Sequence, residues 1–144
     1  MAMRQNAFLK VLKILGMWLP ALMLALVFTL QGLAKFSDTS GWAEAFRGWG
    51  YPDWFRMTIG IVEIIAAACM LWSRTAPIGA VLIICVMLGG MATHVVFGQA
   101  RQVGHEIGPF VIATIVLLIR RRELKAFIDR VRGRSAQSPL STYS

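Results

Sequence analysis

The run Phe55-Arg56-Met57-Thr58-Ile59-Gly60-Ile61-Val62-Glu63-Ile64-Ile65-Ala66-Ala67-Ala68-Cys69-Met70-Leu71-Trp72 decides how this chain folds. Beyond Arg56 it holds a single charged side chain, Glu63. A helix needs about 20 predominantly apolar residues to cross a hydrocarbon core of ~30 Å, and this run nearly supplies them. An ionisable side chain inside such a span is costly and is usually kept for a reason. Alone in hydrocarbon a carboxylate takes up a proton, so an ionised Glu63 requires a cation from another helix within a few ångströms.

Outward from this run lie three further apolar segments, Val11 to Leu33, Ile78 to Phe97 and a shorter Ile107 to Ile119. The last is too short to cross unless it recruits residues toward Arg101, which draws Gly104, His105 and Glu106 beneath the outer interface. Local thinning of the bilayer is the other remedy. The expectation is an all-α integral membrane four-helix bundle, with spans over 11–33, 55–72, 78–97 and 103–119 inside a membrane domain 11–122. A cytoplasmic N-terminus 1–10 precedes it, and a basic cytoplasmic tail 123–144, disordered beyond a short helix, follows.

Composition agrees. A hydrophobic fraction of 57% and a mean hydropathy of +0.63 leave too little polar surface for an ordinary soluble domain. The formal charge of +8 collects at the ends, with Arg4, Lys10 and Lys13 before the first run and Arg120, Arg121, Arg122, Lys125, Arg130, Arg132 and Arg134 after the last. This follows the positive-inside rule and puts both termini on the cytoplasmic side of a bacterial-type inner membrane. Nothing in the layout suggests a nucleic-acid groove with interleaved aromatics. A signal peptide ending at Gly32-Leu33-Ala34 is opposed by the length of the first run and by the orientation it would leave to the other three. Cys69 and Cys85 lie in different runs without CxxC spacing, so they read as small apolar packing residues, and no metal site is expected.

In the first outer connection Trp42, Phe46 and Trp49 recur at i, i+4 and i+7, with Glu44 and Arg47 on another side, which predicts a short interfacial helix. Gly48 and Gly50 would end it, and Tyr51-Pro52-Asp53 would turn the chain into the next span. These aromatics either anchor the connection in the headgroups or cover a membrane pocket as a lid.

Helical rise puts Glu63 roughly 10 Å below Arg56, His94 about as far below Arg101, Glu106 roughly 7 Å below Arg101, and Gln31 about 6 Å below Lys35. Every span thus offers a polar group to the outer half, while the inner halves are nearly free of ionisable side chains. We expect a Lys35–Glu63 pair with His94 as a titratable neighbour, in a pocket lined also by Gln31 and covered by Trp42, Phe46 and Trp49. His105 and Glu106 are secondary candidates that face either this cluster or the headgroups. The plainer alternative is a cluster that only fixes helix register. A bis-histidine haem on His94 and His105 is disfavoured, because an axial pair alone does not define a haem pocket.

Gly32-Leu33-Ala34-Lys35, Gly50-Tyr51-Pro52, Gly60-Ile61-Val62-Glu63 and Ser73-Arg74-Thr75-Ala76, in this order and spacing from about Leu15 to His94, resemble the DoxX-like family of small four-helix membrane proteins. The resemblance implies an inner-membrane bundle with family positions at Lys35, Glu63 and Arg74. It also implies association with membrane oxidoreductases such as thiosulfate:quinone oxidoreductase. Gln31 stands close to where many relatives carry a histidine, and Ala66-Ala67-Ala68 replaces a frequent glycine pair. The leading expectation is a redox-associated subunit that binds a quinone-like headgroup and works with other integral-membrane subunits, since no catalytic motif or electron carrier is encoded. The alternative is a non-catalytic accessory subunit of a larger membrane complex; a small transporter or assembly factor comes third.

Overall fold

A computed structural model describes the backbone of residues 2–136 and the side chains of residue 16 and residues 18–133. Among the described residues all regular structure is helical: α1 (Ala2–Ala34), α2 (Gly41–Gly48), α3 (Asp53–Met70), α4 (Ala76–Val96), a 3-10 turn (Ala100–Gln102), α5 (Val103–Ile119) and α6 (Arg121–Ala136). Part of the tail expected to be disordered, residues 137–144, lies outside the described residues.

The punctuation is local. Pro77 sits in the first turn of α4, where its missing N–H is not needed. Gly50 and Gly98 take left-handed φ values of 74° and 70° just past the ends of α2 and α4. Each closes a Schellman cap, in which Tyr51 N–H reaches Phe46 O at 2.9 Å and Gln99 N–H reaches His94 O at 2.7 Å.

The long helices pack in a closed ring: α1 on α3, α3 on α4, α4 on α5, and α5 back on α1. Their shared core is built largely of small residues, with Ala21, Ala25, Ala66, Ala67, Ala76, Ala80 and Ala113 beside Leu24, Phe28, Met70, Ile83, Met87 and Val116. Small residues let backbones approach without a hydrophobic drive from water. Gly79 of α4 leaves no room for a Cβ, which would lie 2.6 Å from Ala66 O.

The outward faces are as apolar as the core. Leu19, Leu22, Leu26 and Leu30 of α1, Val95 and Val96 of α4, and Leu118 and Ile119 of α5 are all exposed. Faces of this extent call for lipid or protein to cover them. The helix α4 and the run Ala100–Ile119 are long and apolar enough to cross a membrane, and Trp18–Ala34 is a shorter apolar stretch. The 18-residue α3 carries Asp53, Arg56 and Glu63. One packing expectation is corrected: Cys85 is exposed on the outer side of α4, and Cys69 is half-buried.

Candidate functional site

Because neighbouring helices run in opposite directions, the C-terminal ends of α1 and α4 and the N-terminal ends of α3 and α5 meet at one end of the ring, under α2. Lys35 closes α1 and Glu63 lies in α3, where its Nζ donates to both carboxylate oxygens at 2.9 and 2.8 Å. Both side chains are only 3% exposed. Two charges taken this far out of water are tolerable only when geometry satisfies both, as the two-pronged contact does here.

Arg56, one turn into α3 and fully buried, holds the chain around this pair. Its Nη1 donates to Lys35 O at 2.6 Å and Ser37 O at 3.1 Å, and its Nη2 donates to Asp38 Oδ1 at 2.7 Å. The end of α1 is thereby pinned to the start of α3. Above it, α2 docks through Phe46, which is buried and touches the rings of Trp42, Trp49, Tyr51 and Phe55. Trp42 lies over the Lys35 ammonium, 4.0 Å from Nζ to the ring centroid, and its Nε1 donates to Gln31 Oε1 at 3.2 Å. Such a cation–π contact in a desolvated place stabilises the charge.

The second half of the site joins α4 and α5. Buried His94 presents Nε2 to Glu106 Oε1 at 3.7 Å, and its Nδ1 lies 3.1 Å from Gln99 Oε1. That same oxygen accepts from Trp49 Nε1 at 3.2 Å, while the Trp49 ring meets the His94 ring edge-on at 5.3 Å between centroids. Glu106 lies against Gly90, where a Cβ would come within 3.0 Å of Oε1. Beside α2 an open groove of about 460 Å³ is lined by Gly41, Glu44, Ala45, Gly48, Trp49, Phe97 and Gln99. It does not reach Lys35 or Glu63; His94 stands behind its floor, one hydrogen bond beyond Gln99.

Residues 19–119 match the sequence profile of the DoxX-like family. This chain belongs to that family. The match runs past His94 through α5, so Glu106 falls inside the family region together with the other three polar groups. A protein of Bacillus subtilis strain 168 named "Uncharacterized protein YdgD" is 37% identical over 82 residues, which cover 55% of this chain and 71% of that protein. No solved structure matches the chain.

In this DoxX-like protein Lys35 and Glu63 meet as the sequence suggested, and Trp42 covers them. Gln31 is exposed and engaged by the Trp42 indole, so it lines the lid's edge and not the ion pair. His94 faces Glu106 and Gln99, both of its ring nitrogens toward protein partners, and His105 is exposed to the outside. Two contributors were missed by sequence reasoning. Arg56 serves in the sequence only to mark the depth of Glu63, and nothing in its spacing shows that it reaches the carbonyls after α1. Gln99 sits in a connection, and the signal was Phe97-Gly98, a helix stop that folds the next residue back over the last turn. Among the described residues no three His, Cys, Asp or Glu side chains are grouped to hold a metal ion.

Proposed function

We propose that this DoxX-like protein is a multi-pass inner-membrane subunit, with α1, α3, α4 and α5 crossing as a four-helix bundle and both termini cytoplasmic, that holds a quinone-like headgroup at its outer end. The observation that carries the reading is the groove beside α2. Gly41, Ala45 and Gly48 give it a flat wall of small residues, Trp49 and Phe97 supply aromatic faces, and Gln99 closes it with His94 behind. Its volume falls in the range of small-molecule sites, and it is an open groove whose polar groups are Glu44 and Gln99. Gln99 Oε1 is occupied by Trp49 and His94, leaving its amide N–H groups to donate to a quinone carbonyl. His94 is the proton-exchanging group nearest that carbonyl. Electrons come from a partner protein, because the chain encodes no carrier of its own.

The test is titration of the purified protein in nanodiscs with a short-chain benzoquinone, read by tryptophan fluorescence. Saturable quenching is expected, with affinity lowered about tenfold in Gln99→Leu, the equivalent of a lost hydrogen bond. Absent or equal quenching in the two proteins removes the reading.

One observation favours an accessory role instead. The Lys35–Glu63 pair is sealed beneath Trp42, as a purely structural pair would be. Under that reading gentle-detergent purification retrieves a fixed membrane partner, Glu63→Gln lowers thermal stability, and the benzoquinone titration shows no saturable quenching.

A further inference from the structure

We propose that His94 and Glu106 share one exchangeable proton, which the protein takes from and returns to the outer face alone. Donor and acceptor logic leads there first. The Trp49 indole N–H can only donate, so the Gln99 amide must turn its oxygen toward it. That oxygen is also the atom 3.1 Å from His94 Nδ1, which must then carry a hydrogen and donate. In a neutral imidazole Nε2 is left as a bare lone pair, and it faces Glu106 Oε1 at 3.7 Å. Two lone pairs do not face each other in a half-buried site without a proton on one of them.

Charge counting reaches the same place from separate residues. Lys35 from α1 is matched by Glu63 from α3 at 2.8 Å. Arg56 from α3 is matched by Asp38 at 2.7 Å and Asp53 at 3.5 Å. From α2 the rings of Trp42 and Trp49 face the cluster, and the carboxylate-bearing Glu44 lines the groove with Gln99. Arg101 of the 3-10 turn and His105 of α5 are exposed. Among the described residues at this end, Glu63, Asp38 and Asp53 each meet a lysine or arginine, whereas the ion-pair partner of Glu106 is His94, with Lys35 and His105 acting on it from farther off; a proton on the His94–Glu106 pair neutralises it.

Access is one-sided. The Glu106 side chain is 14% exposed and Gln99 is exposed, both at the end covered by α2. One or two turns toward the other end, Phe28, Ala67, Met87 and Ala113 are buried and apolar. A proton arriving at Nε2 comes from water beside Glu106; Glu63, the carboxyl deeper in the bundle, is tied to Lys35, and among the described residues the core layer below it, Phe28, Ala67, Met87 and Ala113, offers no titratable side chain. This stands independently of quinone binding and rests on the proposed crossing of the membrane with α2 at the outer face.

The experiment is an infrared pH titration of quinone-free protein in nanodiscs, carrying His105→Gln so that His94 is the one imidazole in the chain, and following the imidazolium band. One imidazolium step is expected, and Glu106→Gln should move its midpoint by removing the carboxylate that shares the proton. An unmoved midpoint in Glu106→Gln, or no step in the protein that keeps Glu106, overturns the proposal. Gly90→Ala keeps the fold, because the added methyl pushes only the flexible end of Glu106, and it should move the midpoint; an unmoved midpoint counts against the pair. In proteoliposomes, a pH jump on the face bearing α2 should drive the step and a jump on the opposite face should not. Equal response to both jumps overturns the one-sidedness.

Discussion

Gly32 of α1 and Gly60 of α3 face each other so closely that neither has room for a side chain: a Cβ on Gly32 would lie 2.8 Å from Gly60 O, and one on Gly60 would lie 2.9 Å from Gly32 O. Each is three residues before a member of the ion pair, so this contact sets the distance at which Lys35 reaches Glu63. Gly60→Ala should force the helices apart and cost about 1–3 kcal/mol, the usual range for overpacking. Gly89→Ala meets nothing within 4 Å and serves as the control. Thermal unfolding in detergent checks the pair; equal midpoints would show that the close approach is not needed.

The buried ion pair predicts strong non-additivity. Lys35→Met leaves an unpaired carboxylate and should destabilise by about 3–5 kcal/mol, whereas Lys35→Met with Glu63→Met should recover much of that loss. A double-mutant cycle on denaturant unfolding measures the coupling. Additive losses would mean that the two groups do not depend on each other.

Trp42 is the cover over Lys35. In the unaltered protein Lys35 should resist an amine-acylating reagent, and Trp42→Ala, which removes the ring at 4.0 Å, should make it reactive. Peptide mass spectrometry reads the modification. Unchanged protection would assign the seal to Arg56 and the chain end, not to α2.

Cys85 tests the membrane embedding of α4. It lies in the middle of that helix and is exposed, so in a bilayer it faces lipid. A water-soluble maleimide should leave it unlabelled in intact membranes and label it after denaturation in SDS, while a cysteine placed at Gly41 should react in both. Labelling of Cys85 in intact membranes would deny the crossing.

The site was legible in the sequence to different depths for physical reasons. Lys35 and Glu63 stood out because Lys35 follows the first apolar run and Glu63 is the single charge beyond Arg56 in the second, and opposite charges in an apolar setting must find each other. The choice between His105 and Glu106 could not be read. Adjacent helical residues point about 100° apart, and α5 is too uniformly apolar to show which face turns inward. Its buried face is marked by Ala113, two turns beyond Glu106, and by Val116, and their packing in the core aims Glu106 at His94. Gln99 and Arg56 act through backbone turns, which residue counting along straight helices does not follow.

By itself the sequence determined what is local. Apolar runs and glycine stops set the helices and their order, and a fixed rise per residue put the polar groups near one end. Tertiary structure alone decided the pairings: which carboxylate each cation meets, that α2 closes over Lys35, and that His94 stands behind Gln99. Depth along a helix follows from counting, but rotation about its axis is set by the small-residue contacts between neighbours, and those exist only once the helices have packed.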